Sequence, residues 1–391
     1  MMSVAPANPL HPIHQHAEAE FQPYADVEIV CTFGEPQAEY SAIRKGCGLM
    51  DFPQRGLLEV GGKDRLEFLN RFLTNDLLQK DKTVIVGGQG CYAFLLNNKG
   101  RIVAEMNVIE RGDRTLLETD ARNVENLQTT LGKYVFSEKV EFASLVGKWH
   151  QMALHGPKSA EILGQIAGAP PLLRPGESTC AALFDIPDVI IWRDDPCGVP
   201  GYFLLMPVEF AHLVWERITS RFGSGDPTQT QSSKRQVWPL GWAAFNATRI
   251  EAGRAMFGID FDETVLPAET GQLDRAVSFT KGCYLGQEIV ARMHARNQTP
   301  RLIVGIRMNN DALPIAGAPV YDEQKNQVGQ ITSSTMSPVL SNAAICLAMM
   351  KKQFTAPGAV VSVAAEGGIH QGTVTALPFI QPKTEDPPLH V

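Results

Sequence analysis

The chain has 391 residues, a formal net charge of −7, 44% hydrophobic and 20% charged residues, a composition that suits a folded protein of roughly two to three domains. It contains no run of about 18 apolar residues and no leader of basic, apolar and small residues in order, which argues against a membrane helix and a secretory signal and points to the cytoplasm. A pI near 5.8 argues against direct nucleic-acid binding, and seven scattered cysteines without a Cys-x-x-Cys pair argue against a disulfide framework or zinc ribbon and read as mostly reduced core thiols.

Residues 1–21 hold Pro6, Pro9, Pro12, His11, His14 and His16 without helical or strand period, and read as a mobile tail with no fixed metal geometry. The region 22–298 is regular from Gly56 onward. A strand at 56–60 passes through Gly61-Gly62 into a helix whose Leu66, Leu69, Leu73 and Leu77 share one face. Runs at 90–96 and 102–109 flank Asn97-Asn98-Lys99-Gly100 and predict a hairpin. A strand at 115–119 then leads into a helix carrying Val124, Leu127 and Leu131.

The pattern then returns. The run from Leu154 to Leu163 repeats the run from Val60 to Leu69, with Gly156 over Gly62 and Glu161 over Glu67. A strand at 202–206 and a helix with Phe210, Leu213, Val214 and Ile218 echo the end of the first unit. Two related α/β units about 90 residues apart are implied, with a boundary near 145–150. Residues 220–233 read as an exposed loop. Short β-rich runs at 302–308, 328–332, 345–350, 360–363 and 373–375 predict a small antiparallel barrel or sandwich across 299–391.

The densest chemistry lies in Lys281-Gly282-Cys283-Tyr284-Leu285-Gly286-Gln287-Glu288. Two glycines bracket a thiol, and Lys281 offers a cation two residues away, a setting that favours a thiolate for metal ligation or nucleophilic attack. On the residues alone, packing and chemistry are equal readings of Cys283. Asp260, Asp262, Glu263 and Glu269 read as a solvated acidic loop, and His155, with no visible companion, receives no role. No metal site is assigned.

This octapeptide, with Leu273 to Thr280 before it and Ile289 to Arg292 after it, resembles the signature of the YgfZ family of folate-binding proteins, relatives of factors that mature four-iron clusters. From about Tyr40 to Met350 the chain is similar to the wider superfamily of the glycine cleavage T-protein, the aminomethyltransferase. The matching runs are Ala42 to Asp51, Phe68 to Asp76, Gly241-Trp242, Arg249 to Arg254 and Gly258 to Asp260. The resemblance implies an α+β fold of duplicated ferredoxin-like units in a clover-leaf around a folate channel, plus a C-terminal antiparallel β-barrel. It implies that Tyr92, Glu105, Arg249 and Glu251 shape a tetrahydrofolate pocket and that Cys283, with Lys281, is the residue on which function depends.

Departures accompany the likeness. Glu105 replaces the family's catalytic aspartate with a carboxylate one methylene longer, Phe203 stands where a pterin-binding glutamate falls, Pro53-Gln54-Arg55 replaces Ser-His-Met, and Ala244-Phe245-Asn246 replaces Ala-Arg-Asp. The main expectation is therefore an accessory protein rather than an enzyme. It would bind folate and serve iron–sulfur assembly or client proteins through Cys283 as transient cluster ligand or redox thiol, with an indirect link to tRNA modification and no contact with nucleic acid or membrane. The rival expectation is a tetrahydrofolate-dependent aminomethyl or methyl transferase using Glu105.

Overall fold

Gly62 and Gly156 open the two repeated units in the same way. Each follows a strand with a positive φ, 92° and 128°, and a Cβ would lie 2.0 Å from the Lys139 carbonyl oxygen at the first and 2.4 Å from that of Gly46 at the second. Both positions therefore require glycine twice over, by backbone conformation and by close approach. The structure, a computed structural model, describes residues 8–78, 84–223, 235–296 and 299–382.

Each unit folds into a sheet with the same order. The first runs Gly90–Leu96, Ile102–Glu110, Thr115–Asp120, Arg55–Gly61, Glu141–Ser144. The second runs Ser178–Leu183, Ile186–Arg193, Gly201–Pro207, Trp149–His155, and is then extended by Cys47–Asp51 and Val237–Leu240. A hairpin, the third strand and the first strand thus recur in register with the expected duplication. Val237–Leu240 pairs parallel to Cys47–Asp51, so the N-terminal part of the chain completes the second sheet.

The first sheet is buried on both faces. Ala93 and Leu95 pack with Leu58, Phe68 and Leu127 on one side, while Tyr92, Phe94 and Leu96 pack with Ile250, Tyr284 and Leu347 on the other. This is why 90–96 reads as a continuous apolar run rather than an alternating one. Beyond helix Gln287–Arg296, six strands close into an antiparallel barrel ordered Arg301–Met308, Ala343–Lys351, Gln327–Ser337, Pro319–Tyr321, Val360–Ala365, Gly368–Thr375. Closure leaves no unpaired sheet edge. The short strand Pro319–Tyr321 has too few residues to show a period.

Several expectations need correction. The expected mobile tail contains helix His11–His16 and the start of strand Glu20–Tyr24; residues 1–7 lie outside the described residues. His14 is buried because its Nε2 lies 2.9 Å from Asp51, which also meets His150 at 2.7 Å and Asn8 at 2.8 Å. The helix expected through Leu77 stops at Asn70. There Asn70 accepts from the Leu77 amide and Thr74 accepts from the Phe94 amide, side-chain bonds that replace the helical ladder. The loop expected at 220–233 begins inside helix Ala211–Phe222, and 224–233 lie outside the described residues. Only Cys47, Cys197 and Cys346 are buried, while Cys180 and Cys283 are exposed.

Candidate functional site

Strand register assembles a polar face. Tyr92 pairs with Asn107, Phe94 with Glu105, and Asn107 with Glu118. Directly opposed residues share a face and alternate residues return to it, so Tyr92, Glu105, Asn107 and Glu118 all project to one side of the first sheet. Arg55, opposite Asp120, joins them. In the second sheet Trp192 pairs with Phe203 and Leu205 with Gln151, which brings Gln151, Trp192 and Phe203 to one face. These faces line a common cavity of about 500 Å³ including its mouth, completed by Phe52, Phe245, Asp194, Arg254 and Arg275.

The polar groups are tied into two clusters. Arg55 donates to Glu105 at 2.9 Å and grips Glu118 with two nitrogens at 2.5 and 2.8 Å, while Asn107 donates to Glu118 at 2.8 Å. Tyr92 lies on the same face as Glu105, and burial together with that carboxylate holds the phenol well above its ordinary pKa. Tyr92 is therefore a donor throughout the physiological range. Across the cavity Arg275 reaches Asp194 at 2.8 Å and lies 3.9 Å above the Tyr92 ring, with Arg254 3.3 Å from the same carboxylate. Burial alone would raise the Asp194 pKa, but the two arginines outweigh it and hold it below the usual range.

Three wall atoms are buried without a hydrogen-bond partner: Gln151 Oε1, Trp192 Nε1 and Arg254 Nη1. Each such atom costs about 1–3 kcal/mol. One acceptor and two donors beside the rings of Phe52, Trp192, Phe203 and Phe245 form a surface suited to a flat heterocycle with its own donors and acceptors.

The structure divides the expected site residues. Tyr92 and Glu105 face the cavity together. Arg249 and Glu251 do not line it, which corrects the expectation that they shape the pocket. Fully buried Arg249 bonds Asp260 at 2.7 Å and Ser333 at 2.7 Å, and Glu251 accepts from Tyr40, Arg44 and Ser337. Both tie helix Trp242–Glu251 to the barrel and its neighbours.

Lys281 is likewise committed, against its expected catalytic part. Its Nζ donates to the carbonyls of Asn70, Leu73 and Asn75 at 2.8, 2.8 and 2.7 Å, using all three hydrogens, and burial brings its pKa down to about 8. It staples the 281–288 segment to the first unit and leaves Cys283 exposed, outside the cavity lining.

Sequence reasoning missed Gln151, Glu118, Asp194, Arg254 and Arg275 as wall residues. A polar residue at an inward position of an apolar strand was the signal for Gln151 and Glu118. Arg254 and Arg275 sit within runs already matched by resemblance.

The comparisons agree with the architecture. The GCVT N-terminal domain family matches residues 10–281 and the glycine cleavage T-protein C-terminal barrel domain matches 301–381. Proteins named aminomethyltransferase from Chlorobium chlorochromatii and Chlorobaculum parvum are 27% and 28% identical to this chain, covering 95% and 88% of it and 97% and 90% of their own lengths. The crystal structure of glycine cleavage system aminomethyltransferase T from Bartonella henselae superposes with a TM-score of 0.83 at 24% identity over 97% of this chain and 99% of that one, a likeness of fold. With the first family match alone spanning more than half of its residues, the chain belongs to the glycine cleavage T-protein family.

Proposed function

We propose that the cavity is a tetrahydrofolate site and that the chain is a folate-dependent one-carbon transferase of the aminomethyltransferase type. The observation that carries this reading is the set of orphaned atoms on Gln151, Trp192 and Arg254 in an aromatic-walled cavity beside Glu105. Relatives named aminomethyltransferase over nearly their whole length support a transferase over the accessory role without turnover. Phe203 removes one carboxylate expected for the pterin edge, and Gln151 Oε1 offers an acceptor on the same face.

When bound, tetrahydrofolate supplies the nitrogen that accepts the one-carbon unit. The protein's part is to position and polarise. The aromatic walls exclude water and hold the ring plane, Gln151 accepts from its edge, and Trp192 and Arg254 donate to it. Glu105 is aimed by Arg55, which fixes the longer side chain where a freely rotating one would lose orientation. The test is tetrahydrofolate-dependent transfer from an aminomethylated donor protein. Glu105→Gln is expected to lose about a hundredfold in rate and Cys283→Ala to match wild type; an active Glu105→Gln variant overturns the reading.

A second reading rests on Cys283, exposed at the head of a stapled segment. In it the cavity still binds folate, and the thiol lends one ligand to an iron–sulfur cluster whose other ligands come from partner proteins, since cubane clusters usually take four thiolates. It predicts the reverse pattern: cells lacking the protein regain the activity of a four-iron enzyme such as aconitase with Glu105→Gln but not with Cys283→Ala.

A further inference from the structure

A cleft outside the cavity gathers positive charge on an acidic protein. Lys99, Arg101, Arg292 and Arg296 line it, and Leu266, Ile289 and Met293 form its floor; it opens onto about 780 Å³ of space. The chain as a whole carries −7, yet no acidic side chain lines this cleft.

The cleft is built by two elements in direct contact. Gly100, φ 72°, lies so close to helix Gln287–Arg296 that a Cβ would come within 2.9 Å of Ile289, and one at Gly286, φ 82°, would lie 2.9 Å from the Asn97 carbonyl oxygen. On the helix, Ile289, Arg292, Met293 and Arg296 follow the i, i+3, i+4, i+7 spacing of a single face. The hairpin turn thus holds Lys99 and Arg101 against the face that carries Arg292 and Arg296. Arg101 donates to the Thr264 carbonyl. Among the described residues, no ion pair engages Lys99, Arg292 or Arg296. The acids nearby in sequence, Asp262, Glu263 and Glu288, are exposed and are not among the residues that line the cleft.

The chemistry selects the occupant. Four cations in one concavity, three of them engaged by no ion pair among the described residues, raise the local positive potential and favour an anionic partner. Phosphate backbones would leave the apolar floor unused, and no aromatic ring lines the cleft to stack bases. A concave surface also fails to lie flat on lipid headgroups.

We propose that this cleft docks an acidic segment of a partner protein, with a large apolar side chain set between its carboxylates, and that docking brings the partner beside Cys283, three residues before Gly286. The inference is independent of the folate reading, because neither the cleft nor the helix face belongs to the cavity wall.

The test is fluorescence anisotropy of a fluorescein-labelled, glutamate-rich peptide with a central leucine, titrated with the full chain at low and physiological salt. Wild type and Cys283→Ala are expected to bind it saturably, and the paired change Arg292→Glu with Arg296→Glu to weaken binding at least about tenfold. The paired change Lys325→Glu with Lys352→Glu on the barrel surface is expected to bind as wild type does. Replacing the leucine by serine is expected to weaken binding several-fold. All substituted side chains on the protein are exposed, and unchanged thermal melting verifies folding. The proposal is overturned if wild type shows no saturable binding or if both paired changes weaken it equally. It is also overturned if RNA, phosphatidylserine vesicles or triglutamyl tetrahydrofolate binds through Arg292 and Arg296 while the peptide does not.

Discussion

Asp51 shows how much one carboxylate can organise. It accepts from Asn8, His14 and His150 while almost fully buried. Burial works to raise its pKa, but His150 and His14 outweigh it and hold the group well below its ordinary value. A depressed folded pKa adds stability above the unfolded carboxylate range that is lost as pH falls through the folded value. Asp51→Asn is expected to cost about 3–5 kcal/mol at neutral pH, read by urea unfolding, and to speed amide exchange in helix His11–His16; a loss below about 1 kcal/mol would contradict this. His155 works in the same direction from the opposite charge. It is fully buried among Phe52, Phe203 and Phe245, with both ring nitrogens unpartnered. Burial lowers its pKa to about 4 against the upward pull of Asp194. The unfolded chain then binds a proton that the folded one refuses, so stability is complete above the ordinary histidine pKa and declines as pH falls toward 4. The contribution between about pH 7.5 and 5 is roughly 2 kcal/mol. In His155→Leu that part of the slope should vanish when unfolding free energies are compared at the two pH values.

At the scale of elements, the glycines that open the repeated units and the lysine that fastens the 281–288 segment carry the clearest consequences. Gly62→Ala and Gly156→Ala each meet both a positive φ and a carbonyl contact, and each should lose at least about 2 kcal/mol; a neutral result at either would remove the structural basis of the repeat. Lys281→Met strands three carbonyls and should speed proteolysis of the segment without slowing alkylation of Cys283, because the amine does not serve the thiol. The repeat, the hairpin at Asn97 to Gly100 and most barrel strands were legible because period and turn chemistry are local properties. The early end of the Leu66 helix was not, because Asn70 and Thr74 bond to backbone that only the folded chain brings near. His14 was unreadable for the same reason: its partner lies 37 residues away.

Across the whole molecule, two sheets from a duplicated unit face each other, and the cavity lies where their polar registers meet. Tyr92 and Glu105 were recognisable as a pair from resemblance. Arg249 and Glu251 matched the same family text yet serve the joint between helix and barrel, since a motif records which residues recur and not which way they point. The wall residues Gln151, Asp194, Arg254 and Arg275 come from four separated stretches that only the assembled fold unites. The central claim is that this cavity takes tetrahydrofolate, and calorimetric titration of the full chain tests it most directly. The account predicts saturable one-site binding that weakens about tenfold in Gln151→Leu, which removes the orphaned acceptor while keeping a side chain of similar size. Absence of saturable binding, or equal affinity in both proteins, would contradict it.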